Sequence, residues 1–376
     1  MITVREVTGS RKGMKDFINF QYRLYKNEQN WCPPLRIERK RFFSPKNPYM
    51  HHSRVAYFVA YAGERPVGRV TAQIDGIYNR FHKSRQGFFG FFESIREREA
   101  AEKLMERAEA WVKSNGMNSI AGPLNFSTNH EIGFLTRGFE RPNVTLMPYT
   151  KAYYPEFFHG LGYREEKRLL AYWMTGVREI PKILIRHARE VERRMGTSVR
   201  VRNLNMRKLG RDVRIAFDIY NEAWSRNWGF VPVRDEEVSE FALGLRLIGN
   251  SRIMFIAHMD GEPAGILIAI PDINETLIKV AGGRLSPQGV FRLLAGMKRE
   301  KTVRVIIIGV KSGYRRLGLG LYLYYHLFRA LVTSTSFENV ETSWVLEDNS
   351  GMSRIQQLLG ADPYKKYVIF RKDLEA

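Results

Sequence analysis

Residues 310–320 read Val310-Lys311-Ser312-Gly313-Tyr314-Arg315-Arg316-Leu317-Gly318-Leu319-Gly320, and the segments on either side of this stretch predict a strand before it and a helix after it. The residues before it, from Val303 to Val310, are mostly apolar and β-branched, which predicts a central strand. The apolar residues after it recur at helical spacing and predict a helix with a broad apolar face; they are Leu321, Tyr324, Tyr325, Phe328, Leu331 and Val332. The stretch is therefore a turn that joins a buried strand to a helix.

This turn has the chemistry of an anion site. The first amides of a helix have no acceptor within the helix, and the helix dipole adds positive potential at the same end. Gly318 and Gly320 leave room for an anion to approach the backbone, while Arg315 and Arg316 supply charge and paired donors at the rim. A diphosphate is a natural ligand for such a helix end. A helix start that carries glycine for structural reasons alone is the other interpretation.

Outward from the turn, the second half of the chain continues as alternating strands and helices. A strand is predicted around Val340 to Val345, a short helix at 351–358 and a final strand at 365–371. The order strand–turn–helix–strand–helix–strand is typical of an α/β fold with mixed α+β layers.

A faint repeat relates the two halves of the chain. Phe58-Val59-Ala60-Tyr61 and Pro66-Val67-Gly68 recur as Phe255-Ile256-Ala257-His258 and Pro263-Ala264-Gly265, at one offset of 197 residues, as from Phe58 to Phe255. Each copy predicts a two-stranded hairpin with a glycine-containing turn.

A second pair of matching positions supports the repeat. Gly162 and Gly360 each lie between a predicted short helix and a predicted final strand. Thr175-Gly176 precedes a helix that begins after Pro181, which places a boundary near residue 180. We therefore predict two lobes, each with a twisted central mixed sheet flanked by helices; they are residues 1–180 and 181–376.

The composition is that of a folded protein with an unusual charge. Apolar residues make up 44% and charged residues 26% of the 376 residues, enough for a sizeable core or two. The apolar runs are far shorter than the roughly 20 residues that span a bilayer, and the first residues do not resemble a signal peptide, so we expect a cytoplasmic protein. The net charge of +21 favours an anionic partner, namely a nucleotide cofactor, a nucleic acid such as tRNA, an anionic membrane surface or a phosphorylated substrate. A basic surface that only keeps the protein in solution is the other interpretation.

The cysteine and the adjacent histidines predict neither a disulfide nor a metal site. Cys32 is the single cysteine, which excludes an internal disulfide and a thiolate zinc site. His51 and His52 are adjacent on an extended segment, so their side chains point to opposite faces. With no third ligand at a suitable spacing, we expect no metal site.

The stretch at 310–320 resembles the acetyl-CoA-binding motif of the GNAT (Gcn5-related N-acetyltransferase) superfamily. That motif reads Val-x-Pro-x-Tyr-Arg-x-x-Gly-x-Gly, and this sequence departs from it only at Ser312, where the family has proline. The region from Trp344 to Gly360 resembles the second motif of the family, with Asn349 at the usual asparagine position. The resemblance covers residues 198–372 well and the first half only in outline. It implies a tandem of two GNAT-like copies, of which the first is degenerate because it lacks the Arg-x-x-Gly-x-Gly turn.

The resemblance implies an N-acyltransferase that moves an acyl group, expected to be acetyl, from acyl-CoA to an amine by direct attack. The amides from Arg316 to Gly320 would hold the CoA pyrophosphate, and the N–H near Val310 would polarise the thioester carbonyl. Asn349 would help to place the pantetheine arm. The implied cofactor-binding residues are Val310, Arg315, Arg316, Leu317, Gly318, Leu319, Gly320 and Asn349.

The general acid departs from the pattern of the family. The family often has a tyrosine four residues before the glycine of the second motif, and Gln356 stands there instead. Tyr364 and Tyr367 are close in sequence but not at that position. For the base we predict Glu347 at the end of its strand, although a solvated carboxylate at a helix start explains this residue equally well. The predicted catalytic residues are Glu347 and Val310.

The acceptor is expected to be an amine-bearing small molecule or peptide. Two tryptophans, a phenylalanine and two asparagines lie between Asn221 and Phe230, near a helix end where the family builds one wall of its acceptor site. These rings would serve equally well as core. A hairpin extension from Ile270 to Glu275 is a second candidate wall. The predicted substrate-binding residues are Asn221, Trp224, Asn227, Trp228 and Asp272.

Two other functions fit parts of the sequence. Fem-type aminoacyl transferases are also tandem GNAT-like proteins, and the positive charge would suit their aminoacyl-tRNA substrate, while the intact turn favours CoA. A non-catalytic basic protein that binds nucleic acid or an anionic membrane is favoured by Gln356 and by the degenerate first half. RNA binders display exposed aromatic residues, for which the nearest candidates, equally compatible with a buried strand, are Phe88, Phe89, Phe91 and Phe92.

Overall fold

The computed structural model describes residues 1–284, 287–296 and 299–374, over which strands and helices alternate along the chain. The strands are β1 (Ile2–Glu6), β2 (Ser53–Ala62), β3 (Arg65–Asp75), β4 (Gln86–Ser94), β5 (Ser119–Gly122), β6 (Leu124–Asn125), β7 (Glu131–Ile132), β8 (Phe134–Arg137), β9 (Arg164–Met174), β10 (Val199–Asn203), β11 (Met254–Met259), β12 (Glu262–Pro271), β13 (Thr302–Val310), β14 (Asn339–Leu346) and β15 (Asp362–Asp373). The helices are α1 (Arg11–Leu24), α2 (Arg36–Phe42), α3 (Gly76–His82), α4 (Arg98–Ser114), α5 (Tyr154–Gly160), α6 (Lys182–Met195), α7 (Leu209–Trp224), α8 (Asp235–Ile248), α9 (Asn274–Leu277), α10 (Pro287–Gly296), α11 (Leu319–Ser334) and α12 (Ser350–Leu358).

The first of two compact units contains Met1–Leu169, Leu277–Val290 and Lys365–Ala376. Its strand order is β1-β2-β3-β4-β5-β15, with β4 and β5 parallel and the other pairs antiparallel. α4 covers one face of this sheet with an apolar stripe that includes Leu104 and Ala108, while α1 places Phe17 in the core on the other face.

The second unit contains Leu170–Thr276 and Phe291–Tyr364. Its strand order is β10-β11-β12-β13-β14-β9, with β13 and β14 parallel. α11 covers one face, where Leu323 packs with Val303, and α7 covers the other, where Phe217 packs with Ile266. Because both faces are covered, β12 and β13 are apolar on both sides, which explains their unbroken runs of Ile, Val and Leu.

The two units have the same strand order, and each draws on both halves of the chain. β15, the last strand of the chain, belongs to the first unit from Lys365 onward, whereas the end of β9, from Leu170, belongs to the second. The pairing of β2 with β3 shifts register between Ala60 and Tyr61, and that of β11 with β12 shifts between Ala257 and His258. Both shifts lie at the offset of 197 residues that relates the two hairpins in the sequence. The predicted mixed α/β layers and the tandem arrangement are therefore confirmed.

The elements around the glycine-containing turn also match their predictions. β13 ends at Val310 and α11 begins at Leu319, so residues 311–318 form the turn. The four phenylalanines of β4 are all buried, so they do not form an exposed aromatic surface that could bind RNA. They are Phe88, Phe89, Phe91 and Phe92. No helix in the described part of the chain is long and apolar enough to cross a bilayer.

Candidate active site

The site begins where β13 and β14 separate. The two strands pair in parallel from Thr302 to Val305, and over the described residues no pairing joins them beyond that point. The register of β13 against β12 shifts there, leaving Ile306 as an extra residue in β13. Such a bulge bends a strand and increases its twist. The last residues of β13 therefore have one edge bonded to β12 and the other edge open.

The backbone at the end of β13 points into this opening. Lys311 N–H donates to Ala264 O on β12 at 2.9 Å. Successive N–H groups of a strand point to opposite edges, so the N–H of Val310 is directed toward the open edge. On that same edge, Trp224 Nε1–H donates to Ile308 O at 3.3 Å. The N–H of Val310, the predicted oxyanion donor, and the carbonyl of Ile308 therefore share this edge.

The turn itself is a 3-10 helix, Ser312–Leu317, followed by Gly318 in the left-handed region at φ +78°. A Cβ on Gly318 would lie 2.5 Å from the ring of His187, which donates from Nε2 to Gly318 O at 2.8 Å. Two separate reasons therefore favour glycine at this position: its backbone is left-handed, and α6 approaches it too closely for a side chain.

The first turn of α11 presents its amides next to Gly318. The first bond within this helix joins Tyr322 N–H to Gly318 O at 3.2 Å, so the amides of Leu319, Gly320 and Leu321 precede it. No atom lies within 4 Å of the position of a Cβ on Gly320. Open space beside orphan amides at a helix N-terminus is an arrangement that binds phosphate groups.

The two arginines of the turn have different surroundings. A guanidinium N–H of Arg315 donates to Ala223 O at the end of α7, so this side chain ties the turn to α7. Arg316 is exposed. Arg316 is therefore the arginine that is free to supply charge at the rim.

Glu222 belongs to the site and was not among the predicted residues. Its Oε1 accepts hydrogen bonds from both the N–H and the hydroxyl of Ser312, each at 3.0 Å. Ninety residues separate the two partners, so no local pattern links them. The signal in the sequence was indirect: a serine in place of proline adds an N–H that needs an acceptor.

The end of α7 brings one predicted acceptor residue to the open edge. The indole of Trp224 lies 3.5 Å from the position of a Cβ on Gly309. Asn221 binds both the N–H and the C=O of Val233 with its side-chain amide, at 3.0 and 3.2 Å, and so holds the loop that follows α7. In that loop Asn227 is exposed and Trp228 is half-buried.

Glu347 and Asn349 follow the carboxyl end of β14. Because β13 and β14 are parallel, Glu347 and Val310 lie at the same end of the sheet. Asn349 caps α12, since its side-chain oxygen accepts from Met352 N–H at 3.1 Å. Asn349 therefore stabilises the start of α12.

Gln356 lies in the core. It is buried, its Nε2 donates to the hydroxyl of Tyr324 at 2.9 Å, and its Oε1 accepts from Thr342 Oγ1 at 2.9 Å. Burial raises the pKa of Tyr324 to about 12, so this phenol stays protonated at neutral pH. Gln356 therefore completes a buried hydrogen-bond chain at the position where the family often has tyrosine.

Asp272 lies away from the turn. β12 pairs Gly265 with Val310 at one end and Pro271 with Val303 at the other, and Asp272 follows Pro271. Burial, together with the carboxylates of Asp272 and Glu275, raises the pKa of the neighbouring Glu300 to about 8. The structure does not bring Asp272 together with the other predicted site residues.

The corresponding edge in the first unit is closed. Ser94 pairs with Gly68 as Val310 pairs with Gly265, but the N–H of Ser94 donates to the hydroxyl of Tyr154 at 3.0 Å. That hydroxyl also donates to the buried carboxylate of Glu93 at 2.7 Å.

In the first unit the space beside β4 is filled as well. The N–H of Phe91 donates to Asn125 Oδ1 at 2.7 Å, and a Cβ on Gly90 would lie 2.0 Å from Leu124 O. α4 begins at Arg98 without a glycine in its first turn. The first unit therefore repeats the sheet without the opening or the turn.

Sequence comparisons find relatives over nearly the whole chain. Protein YghO of Escherichia coli K12 is 32% identical over 372 residues, which cover 97% of this chain and 94% of that protein. The bacterial ceramide synthase of Caulobacter vibrioides is 33% identical over 368 residues, which cover 96% of this chain and 95% of that protein. No family model matches the chain.

A solved structure matches the fold from end to end. It is a tandem GNAT protein from the clavulanic acid biosynthesis pathway, with a TM-score of 0.60 and 13% identity, and the match covers 100% of this chain and 99% of that one. At this identity the likeness is one of fold. The two units, in their order along the chain, therefore have the fold of that tandem GNAT protein.

Proposed function

This chain belongs to the family that includes protein YghO and the bacterial ceramide synthase of Caulobacter vibrioides, and we propose that it is an N-acyltransferase for lipid amines. In this proposal it moves a long acyl chain from acyl-CoA to the amine of a long-chain amino alcohol. A ceramide is the amide of such an amine, so the name of one relative favours this acceptor over a peptide, and a long acyl chain over acetyl.

The observation that supports the proposal best is the open edge of β13 beside the glycine turn. The N–H of Val310 points into the opening, and the amides from Leu319 to Leu321 lie at the start of α11. A thioester carbonyl and a pyrophosphate are the two groups of acyl-CoA that need such donors. Only the second unit, within the described residues, combines these features.

In the proposed reaction the amine nitrogen attacks the thioester carbon. The C–N bond forms, the C–S bond breaks, and CoA leaves as its thiolate. Val310 N–H donates to the carbonyl oxygen as negative charge develops there. Glu347, at the same end of the sheet, is the proposed base that takes the proton released by the amine. Trp224 provides an apolar wall beside the reacting groups.

A product assay tests this function. We expect the protein to form N-palmitoyl sphinganine from palmitoyl-CoA and sphinganine, detected by mass spectrometry together with release of free CoA. Gly320→Trp fills the open space at the turn and should lower product formation more than about 100-fold. Gly210→Trp is the matched control, since Gly210 is also the second residue of a 16-residue helix and also has open space around its Cβ position.

The outcomes separate the alternatives. Absence of amide product with every combination of acyl-CoA and long-chain amine would refute the proposal. Aminoacyl transfer from aminoacyl-tRNA, with no use of acyl-CoA, would support a Fem-like function instead. Equal loss in Gly320→Trp and Gly210→Trp would move the donor site away from the turn.

A further inference from the structure

The helix α6 has one face in the core and one face in solvent. Leu184, Ala188 and Val191 are buried. The opposite side of the helix borders a shallow, open depression of about 570 Å³. We name this side the α6 basic face, and its exposed cations are Lys182, Arg186, Arg189 and Arg193.

Most of the charge on this face is not neutralised within the protein. Arg193 pairs with Glu190 at 2.8 Å. Lys182, Arg186 and Arg189 make no ion pair with any residue that the structure describes. Three cations on one helix face, without an ion-pair partner among the described residues, favour an anionic partner.

The length of the face indicates what kind of anion it fits. Eleven residues separate Lys182 from Arg193, which corresponds to about 16 Å along a helix. A single phosphate contacts one or two side chains, so a row of this length fits a surface with repeated negative groups. The apolar side of α6 is packed in the core, so contact with such a surface would be electrostatic and would not require insertion of the helix.

The helix that carries this face also contacts the proposed donor site. His187, on the same helix, donates to Gly318 O in the turn. The basic face is on the other side of this helix, so a partner bound along it lies about one helix diameter, roughly 10 Å, from the turn. In the proposed function the long-chain acyl-CoA, the amine and the product are all amphiphiles that partition into bilayers.

We propose that the α6 basic face docks the second unit on an anionic lipid bilayer, so that lipid substrates and product exchange with the membrane beside the active site. This inference rests on the proposed function for the choice of a lipid surface over other anionic surfaces. The docking itself is a binding property and can be measured without any substrate.

Vesicle binding of the full chain tests the proposal. The variant Lys182→Gln/Arg186→Gln/Arg189→Gln removes the three unpaired cations. A basic residue near an anionic bilayer contributes roughly a fivefold change in partitioning, so we expect about 100-fold weaker binding to vesicles that contain phosphatidylglycerol. The unaltered protein should bind these vesicles, release them as salt is raised, and bind pure phosphatidylcholine vesicles weakly.

A matched variant separates this face from the general charge of the protein. Arg207→Gln/Lys208→Gln/Arg211→Gln also removes three exposed cations from the second unit. We expect it to keep most of the vesicle binding. Equal loss in the two triple variants, or no binding by the unaltered protein, would overturn the proposal. Unchanged vesicle binding with weakened tRNA binding in the α6 variant would assign the face to nucleic acid instead.

Activity measurements keep this result apart from the test of the proposed function. With a short-chain acyl-CoA and a short-chain amine in the absence of vesicles, the α6 variant should work as fast as the unaltered protein. Loss of this soluble activity would show that the face serves the donor site directly and would overturn the docking proposal. Failure of the unaltered protein to transfer acyl groups would instead count against the proposed function, whatever the vesicles show.

Discussion

Ser312 stands where the GNAT motif has proline, and the structure contains a partner for the group that this change adds. The serine N–H and hydroxyl both donate to Glu222 Oε1 at 3.0 Å. Lys311 is extended, with ψ 147°, and Ser312 begins the 3-10 helix, so the backbone at both positions is compatible with proline. We infer that Glu222 positions the turn by accepting an N–H that proline would lack.

This inference predicts a rescue. Glu222→Ala leaves the Ser312 N–H without its acceptor and should weaken acyl-CoA binding about tenfold, equivalent to about one hydrogen bond to a charged group. Adding Ser312→Pro removes the N–H and should restore most of the affinity. Titration calorimetry with an acyl-CoA measures both effects.

The control is Ser312→Ala, which keeps the N–H and loses only the hydroxyl bond, and it should cost less than Glu222→Ala. If the double variant Glu222→Ala/Ser312→Pro binds as weakly as Glu222→Ala, the role assigned to Glu222 is wrong.

At the residue scale, the sequence predicts what is local. The glycines and arginines of the turn stand out because they occupy adjacent positions before a helix. Glu222 does not stand out in the sequence, because Ser312, its hydrogen-bond partner, is 90 residues away. Asp272 was predicted from its place in a hairpin extension, but only the strand register shows that it lies at the other end of β13 from Val310.

At the scale of elements, the junction of α6 with α11 fixes the shape of the turn. Gly318 ends the 3-10 helix and begins α11, and the ring of His187 fills the space where its side chain would be. The same contact places the start of α11 against α6. The turn is therefore held from two sides, by His187 on α6 and by Glu222 on α7.

Gly318→Ala should show both costs of a side chain at this position. A non-glycine residue in the left-handed region costs about 1–2 kcal/mol, and the clash with His187 adds to it, so we expect a total loss of about 2–4 kcal/mol in the free energy of unfolding. Gly360→Ala is the matched control, since Gly360 also has a positive φ, +81°, but nothing lies within 4 Å of its Cβ position.

Urea unfolding of the two variants measures the difference. A larger loss for Gly318→Ala is expected, and His187→Ala in the same chain should recover the excess over Gly360→Ala. Equal losses for the two glycine variants would contradict the importance of the His187 contact.

Elements with a strong periodic pattern could be predicted from the sequence, and their pairing could not. β13, α11, β14 and α12 follow from apolar runs and helical spacing. The placement of β15 in the first unit and of the end of β9 in the second depends on pairing between distant segments, for which local sequence carries no signal.

At the scale of the whole molecule, the two units share one strand order but differ at one strand edge, which is closed in the first unit and open in the second. In the first unit the hydroxyl of Tyr154 occupies the N–H of Ser94, and β6 fills the edge of β4. In the second unit the matching N–H, on Val310, faces an opening beside the glycine turn. The repeat in the sequence predicted two copies, and the missing Arg-x-x-Gly-x-Gly turn predicted that the first is degenerate, but neither predicted the side chains that close it.

This difference predicts one donor site in each chain, in the second unit. Titration of a soluble acyl-CoA, such as octanoyl-CoA, into the full-length protein measures the number of sites directly. We expect one site per chain, lost in Gly320→Trp and kept in Gly210→Trp. Two sites per chain, no binding, or a single site that Gly320→Trp leaves intact would contradict the assignment of the donor site to the turn at 311–320.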